Sequence, residues 1–286
     1  KQQNDQPDEK LFNYFLDRVW KTDNYKKPIL GSEQNIEILK KKDLENFHMN
    51  QYKAENVCIA VAGNLDNKIY STFIENKISY TKQTDFKKIK NSKNRIKALA
   101  RTGREETEFE NIEFSRIFMA WNIPSIKNQK ITIGLEILAS ILSVGRESRL
   151  IRALKEENDL IESIYVDINA GELGGLFIIE ACCDKKNLTN VESKIEEIIS
   201  EILANKTITS SELNKAINIV KSNYVFNLET ASQICSFFGN DLLWGRKNSI
   251  KNLKIYLDYW NNLRHFKEIL NLISSDKFTL IASSMK

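Results

Sequence analysis

A four-residue signature, Asp17-Arg18-Val19-Trp20, returns as Asp241-Leu242-Leu243-Trp244 at an offset of 224 residues. The apolar run that begins at Val57 returns in the run beginning at Phe278, at an offset of 221. Each pair keeps one order: a helical pattern ending in Trp, a turn, shorter helical patterns, then an apolar strand-like run. That matched order argues against one seamless domain. It reads as the tail of one unit followed by a complete copy of the same unit. The expected organisation is an incomplete domain over residues 1–80, a basic linker over 81–104 and a full domain over 105–286.

Local patterns fill in the elements. Leu11, Phe12, Phe15, Leu16 and Val19 make one helical stripe. Ser32 can cap a short helix after the Pro28–Gly31 turn, and Asp43 opens another. Val57–Ala62, ended by Gly63-Asn64, predicts a strand buried on both faces, and Ile69, Phe73, Ile74 and Ile78 a further helix. In the second unit strands are expected at Glu113–Trp121, Leu160–Asn169 and Leu176–Cys183, the last two joined as a hairpin by Gly171, Gly174 and Gly175. Helices are expected at Ile131–Leu142 and Arg149–Lys155. Thr189 with Glu192 and Thr209 with Glu212 each have capping-box spacing before a helix. Phe278–Ala282 closes as a strand. The class is therefore α+β, a mixed and mostly antiparallel sheet with helices packed on one face.

Composition narrows the function. Hydrophobic residues are 42% of the 286, enough for a packed core, and 3 prolines with 10 glycines exclude low complexity. No apolar run approaches the roughly 20 residues of a membrane-spanning helix. The charged opening, Lys1–Lys10, is no secretory leader, and the missing initiator Met suggests a fragment. Nine basic residues crowd Lys82–Arg104 with Asp85 alone opposing them, but only Phe86 interleaves, so a solvated linker is expected and no nucleic-acid partner. Cys58, Cys182, Cys183 and Cys235 form no C-x-x-C and read as free thiols of a reducing compartment, which favours the cytoplasm.

The order and spacing of Pro28–Ile36, Asp43-Leu44, Phe47-His48, Tyr52, Asn56-Val57 and Ala60–Asn64 resemble the insulinase/pitrilysin-type zinc metallopeptidases. Asp5–Glu9 fits the same family just after its third zinc ligand. Gly145–Leu150 resembles the glycine-rich turn and Ser-Arg-Leu of the family's second domains, though Ser143 and Val144 stand where glycines are usual. The resemblance covers nearly the whole chain. It implies tandem α+β domains, two of which close around an unfolded peptide. It also implies zinc held by an H-x-x-E-H helix, whose Glu is the general base toward metal-bound water. That motif is absent. His48 and His265 stand alone, so zinc is expected only in an upstream domain or a partner chain, and no catalytic or metal residue is expected here.

The resemblance further implies an Arg and, seven residues later, a Tyr that face the peptide. Counting from Ser148-Arg149-Leu150, those positions hold Lys155 and Glu162. Lys155 keeps a positive charge without the bidentate fork of Arg. Ionised Glu162 has no hydrogen to donate. Arg149, Arg152 and Tyr165 are nearby substitutes in a different phase. A solvated helix end is the competing reading of Lys155 and Glu162. Family members bind peptide as an added strand, and the strand at Leu176–Cys183 is considered for that role, with an ordinary internal strand as its alternative. Two functions follow: a peptide-enclosing half that assists a zinc domain, in a homo- or hetero-oligomer, or a catalytically dead scaffold of the same family.

Overall fold

Four apolar runs and one charged stretch pair into a single mixed sheet: β1 (Gly103–Phe109), β2 (Ser115–Ile123), β3 (Ser163–Ala170), β4 (Gly175–Cys183) and β5 (Phe278–Ser284). Their spatial order is β1-β5-β2-β4-β3; β1 and β5 run parallel and every other neighbour pair is antiparallel. The computed structural model describes residues 6–23, 25–53, 56–64, 66, 72, 97–204, 208–246, 249–274 and 276–285. The expected helix at Ile69–Ile78 and most of the expected linker, 81–104, lie outside the described residues. The helices are α1 (Pro7–Val19), α2 (Glu33–Ile38), α3 (Lys41–Gln51), α4 (Gln129–Ser143), α5 (Arg149–Ile151), α6 (Leu188–Leu203), α7 (Ser210–Phe226), α8 (Ala231–Leu243), α9 (Ser249–Trp260) and α10 (Leu263–Ile273). The fold is α+β.

The chain forms two compact units. The larger comprises Lys1–Ile29, Lys97–Ser222 and Asn248–Lys286; the smaller comprises Leu30–Ile96 and Asn223–Lys247. In the larger unit the sheet has no polar face at its centre. Ile117, Met119 and Trp121 of β2 point to the layer that includes α4, α6, α9 and α10. Phe118 and Ala120 point the other way, with Leu176, Ile178, Phe278, Leu280 and Ala282 beside them. To the expected helix layer the structure adds α1 on this second face. Its stripe of Leu11, Phe15 and Val19 is buried there, and the Phe15 ring stacks on Phe118 at 4.7 Å. Arg18 to Glu105 (2.6 Å) and Asp8 to Arg116 (2.9 Å) pin its two ends. At the C-cap, Trp20 bridges Ala100 in antiparallel fashion.

Capping follows the sequence in part. Ser32 accepts from the Asn35 amide, and Thr209 and Glu212 make the reciprocal box of α7. Thr189 and Glu192 do not: α6 starts earlier, at Leu188, and Glu192 is held by Arg104 through two bonds of 2.8 and 2.9 Å. A cross-element guanidinium outcompetes a local cap because each bond is charge-assisted. In the smaller unit, residues 57–62 form no strand, contrary to the sequence pattern. No strand among the described residues pairs with them, and Val57, Ile59 and Val61 are exposed. The alternate residues meet α8: the Cys58 thiol reaches the Gly239 carbonyl at 3.4 Å.

The Phe15–Phe118 stack predicts a large core penalty. Phe15→Ala should lower stability by about 3–5 kcal/mol, read as the shift of a urea unfolding midpoint. A change under about 1 kcal/mol would show that α1 is not structurally required.

Candidate functional site at the start of β3

Ser148 begins a short helical segment that does not stay regular. After α5 the chain widens into a π-turn over Arg152–Glu156, closed by the Glu157 amide on the Arg152 carbonyl at 2.9 Å. Asp159 then takes a positive φ of 46°, which ends the helix and turns the chain toward β3. Such single π-turns alter the helical phase of the residues that follow. Here the result is that Lys155 reaches forward: its ammonium donates to the backbone carbonyl of Glu162 at 2.6 Å. The Glu162 amide bonds the Cys182 carbonyl of β4 at 2.8 Å, so the accepting peptide is anchored to the sheet. Lys155 and Glu162 are both exposed.

Arg149 and Tyr165 are placed differently. Arg149 is held by Glu212 in a two-bond fork of 2.9 and 3.0 Å, and its side chain is 13% exposed, which makes it a packing residue rather than an open ligand. Burial would raise the Glu212 carboxyl, but the Arg149 and Thr209 hydrogen bonds outweigh it and hold the group below its ordinary 4.5. Tyr165 stands 64% exposed on β3, opposite Glu180 of β4. Glu180 in turn faces Arg116, which also donates to the Cys182 sulfur at 2.6 Å. Burial raises both the Glu180 carboxyl and the Cys182 thiol, and pushes Cys183 up to about 12, so neither adjacent thiol is a nucleophile near neutrality. The Thr209-x-x-Glu212 box was the one sequence signal that could have pointed to Glu212 as a partner.

β3 is also an edge. β4 flanks it on one side, and no strand among the described residues flanks the other. The opposite edge, β1, carries Arg104, Glu105, Glu106 and Glu108 and is protected by charge. β3 carries only Asp167 among Ser-Ile-Tyr-Val-Asp-Ile-Asn-Ala. β4, considered above as a peptide-binding edge, is internal, between β2 and β3.

Both histidines are engaged by neighbours on their own segments. His48 stacks on Tyr52 at 4.7 Å; His265 stacks on Tyr259 at 4.1 Å, with its Nδ1 at 3.1 Å from the Tyr259 carbonyl. Among the described residues no group of three or more His, Cys, Asp and Glu could hold a metal ion. The described residues do not fit zinc.

These features define a class: an α+β domain whose described residues include no metal-ligand set. The chain belongs to the family described as "Peptidase M16 inactive domain", which matches residues 39–220, more than half of the sequence. Among curated relatives, an uncharacterized zinc protease of Mycobacterium tuberculosis is 22% identical over 255 residues, 87% of this chain and 56% of that protein. The chain thus spans about half the length of the curated relatives it matches. Among solved structures, a protease from Helicobacter pylori is similar with a TM-score of 0.82 and 17% identity, over 98% of this chain and 68% of the other. A chain in Complex III2 from Candida albicans, with Inz-5 bound, is similar with a TM-score of 0.80 and 16% identity, over 98% and 67%.

Two outcomes follow from this geometry. The Glu212 carboxyl is lower in the folded than in the unfolded chain, so its pair with Arg149 stabilises above about pH 4.5 and that gain is lost as pH falls through the folded value. The thermal midpoint of the wild type should therefore drop more steeply below pH 4.5 than that of Arg149→Met; parallel curves would refute the pair's role. After dialysis, elemental analysis should find far less than one zinc per chain, and stoichiometric zinc would overturn the assignment of the histidines.

Proposed function

We propose that this chain is the non-catalytic, peptide-enclosing portion of an insulinase-type zinc metallopeptidase, with the zinc chemistry done by a domain upstream or on a partner chain. Its ligand is a peptide or unfolded polypeptide. The observation that carries this reading is the Lys155–Glu162 contact at the head of the open edge β3. An extended peptide adds to such an edge through backbone hydrogen bonds. An ammonium beside it can meet a peptide carbonyl or carboxylate. The zinc-protease names of the relatives support the same reading. In it, residues 1–80 are the tail of a first peptidase-like domain, 81–104 a linker and 105–286 the second domain. The exposed Val57, Ile59, Leu242 and Leu243 of the smaller unit are apolar surface of the kind that association covers, which supports a homo- or hetero-oligomer with a peptidase-type domain.

A second reading is a catalytically dead scaffold or assembly subunit. Lys155 and Glu162 in place of Arg and Tyr favour it, as does the fold likeness to a chain of the Candida albicans complex. The two readings separate in the complete assembly. Lys155→Ala should weaken peptide binding or turnover by about 1–2 kcal/mol, the value of one charged hydrogen bond. Lys155→Arg with Glu162→Tyr should restore or raise it. Peptide handling unchanged in both variants would leave the scaffold.

A further inference from the structure

The last turn of α4, the turn at 144–148 and the first turns of α7 enclose a cleft of about 310 Å³. One wall is aliphatic: Ile141, Val144 and Ile219. Ser140 also lines it. That residue is 5% exposed, and its hydroxyl has no hydrogen-bond partner among the described residues. Ser143, on the same turn of α4, does what a helical serine ordinarily does and donates to the Ala139 carbonyl at 3.2 Å. A hydroxyl left without such a bond is a donor still open to an atom seated beside it.

Charged residues line the same cleft. Lys215 lines the cleft and forms no ion pair among the described residues. Arg152 lines it too, facing an exposed Glu157 at 3.4 Å. Ser211, in the first turn of the 17-residue α7, lines it where helix N–H groups have no intrahelical acceptor and the helix end favours negative charge. Two carboxylates are present. Glu212 is engaged by Arg149 and Thr209, so its charge is compensated before any ligand arrives. Glu147 is exposed and can remain in water.

We propose that this cleft binds a carboxylate carried on a short branched aliphatic group, as a peptide ending in Val or Leu presents at its free C-terminus. The carboxylate would lie between the Lys215 ammonium and the head of α7, with the Ser140 hydroxyl as a further donor. The branched carbons would cover Ile141, Val144 and Ile219. A small free acid offers the same chemistry from a second source. None of Lys155, Glu162 or Tyr165 takes part, so the inference stands or falls apart from the function proposed above.

The test is a titration of the ¹⁵N-labelled full chain with N-acetyl-Ala-Val, with its C-terminal amide, and with isovalerate, followed through backbone amide shifts. The acid should give saturable shifts centred on Val144, Ser148, Ser211 and Lys215. The amide should bind at least about tenfold more weakly, since it lacks the charge. Lys215→Met should weaken the acid by about tenfold while leaving the thermal midpoint near wild type, because the residue is exposed. Ser140→Ala should weaken binding without lowering that midpoint. Isovalerate binding as tightly as the peptide assigns a free acid; weaker binding assigns a chain terminus. Equal affinity for acid and amide, shifts scattered over the surface, or wild-type binding by both variants overturns the site.

Discussion

A sheet with two apolar faces must be covered on both, and the larger unit meets that demand by bringing in α1 from far along the chain. β2 shows the demand most plainly. Ile117, Met119 and Trp121 alternate with Phe118 and Ala120, and all five are buried. Phe15 on Phe118 closes the second face. Other contacts then follow from that seating. Trp20 delivers the chain to Ala100, and Tyr25 accepts a hydrogen bond from the Leu173 amide at 3.0 Å. A side chain at Gly171 would collide with Tyr25, so Tyr25 packs directly against the turn between β3 and β4. That hairpin fixes where β3 lies against β4, and the Glu162–Cys182 bond at its other end fixes the peptide that Lys155 meets.

The helix that ends in the second Asp-x-x-Trp sequence, α8, packs in the smaller unit through different residues. Aligned on Trp20 and Trp244, both at helix C-caps, Phe15 corresponds to Gly239. α1 therefore meets its sheet through an aromatic ring, whereas α8 meets residues 57–62 through bare backbone. A Cβ on Gly239 would sit 3.5 Å from Ala60. Close approach through small residues covers only one side of the extended segment. Val57, Ile59 and Val61 on the other side remain in water at 53%, 47% and 45% exposure, which is costly for β-branched residues.

The parts legible in the sequence were those set by nearby residues or by unbroken apolar character. The Thr209–Glu212 box, the glycine hairpin and the runs that became β2, β4 and β5 are of this kind. What was not legible depended on partners distant in the chain. β1 reads Gly-Arg-Glu-Glu-Thr-Glu-Phe and shows no apolar alternation, because an edge strand is paired by backbone while its side chains answer to solvent. Glu192 has the spacing of a cap but lies within reach of Arg104. Residues 57–62 have the composition of a strand, and composition cannot supply a neighbour to pair with. At the candidate site the family resemblance singled out Lys155 and Glu162. It did not show that Arg149 is engaged by Glu212, since that pair spans the whole β3–β4 hairpin and α6.

The chemistry open to this site follows from what Lys155 holds. A lysine offers a compact ammonium on a flexible stem, and here one hydrogen bond goes to a backbone carbonyl. Because the group is exposed, that bond is weak and exchangeable, so an incoming peptide carbonyl or carboxylate can replace it at little cost. Stabilising an oxyanion asks for more: donors fixed in advance, in a site sheltered from water. Glu162 offers no donor when ionised, Arg149 is engaged by Glu212, and Tyr165 stands in solvent. On the proposed reading, the start of β3 would attract and align a peptide, while any stabilisation of a reacting carbonyl would come from groups elsewhere.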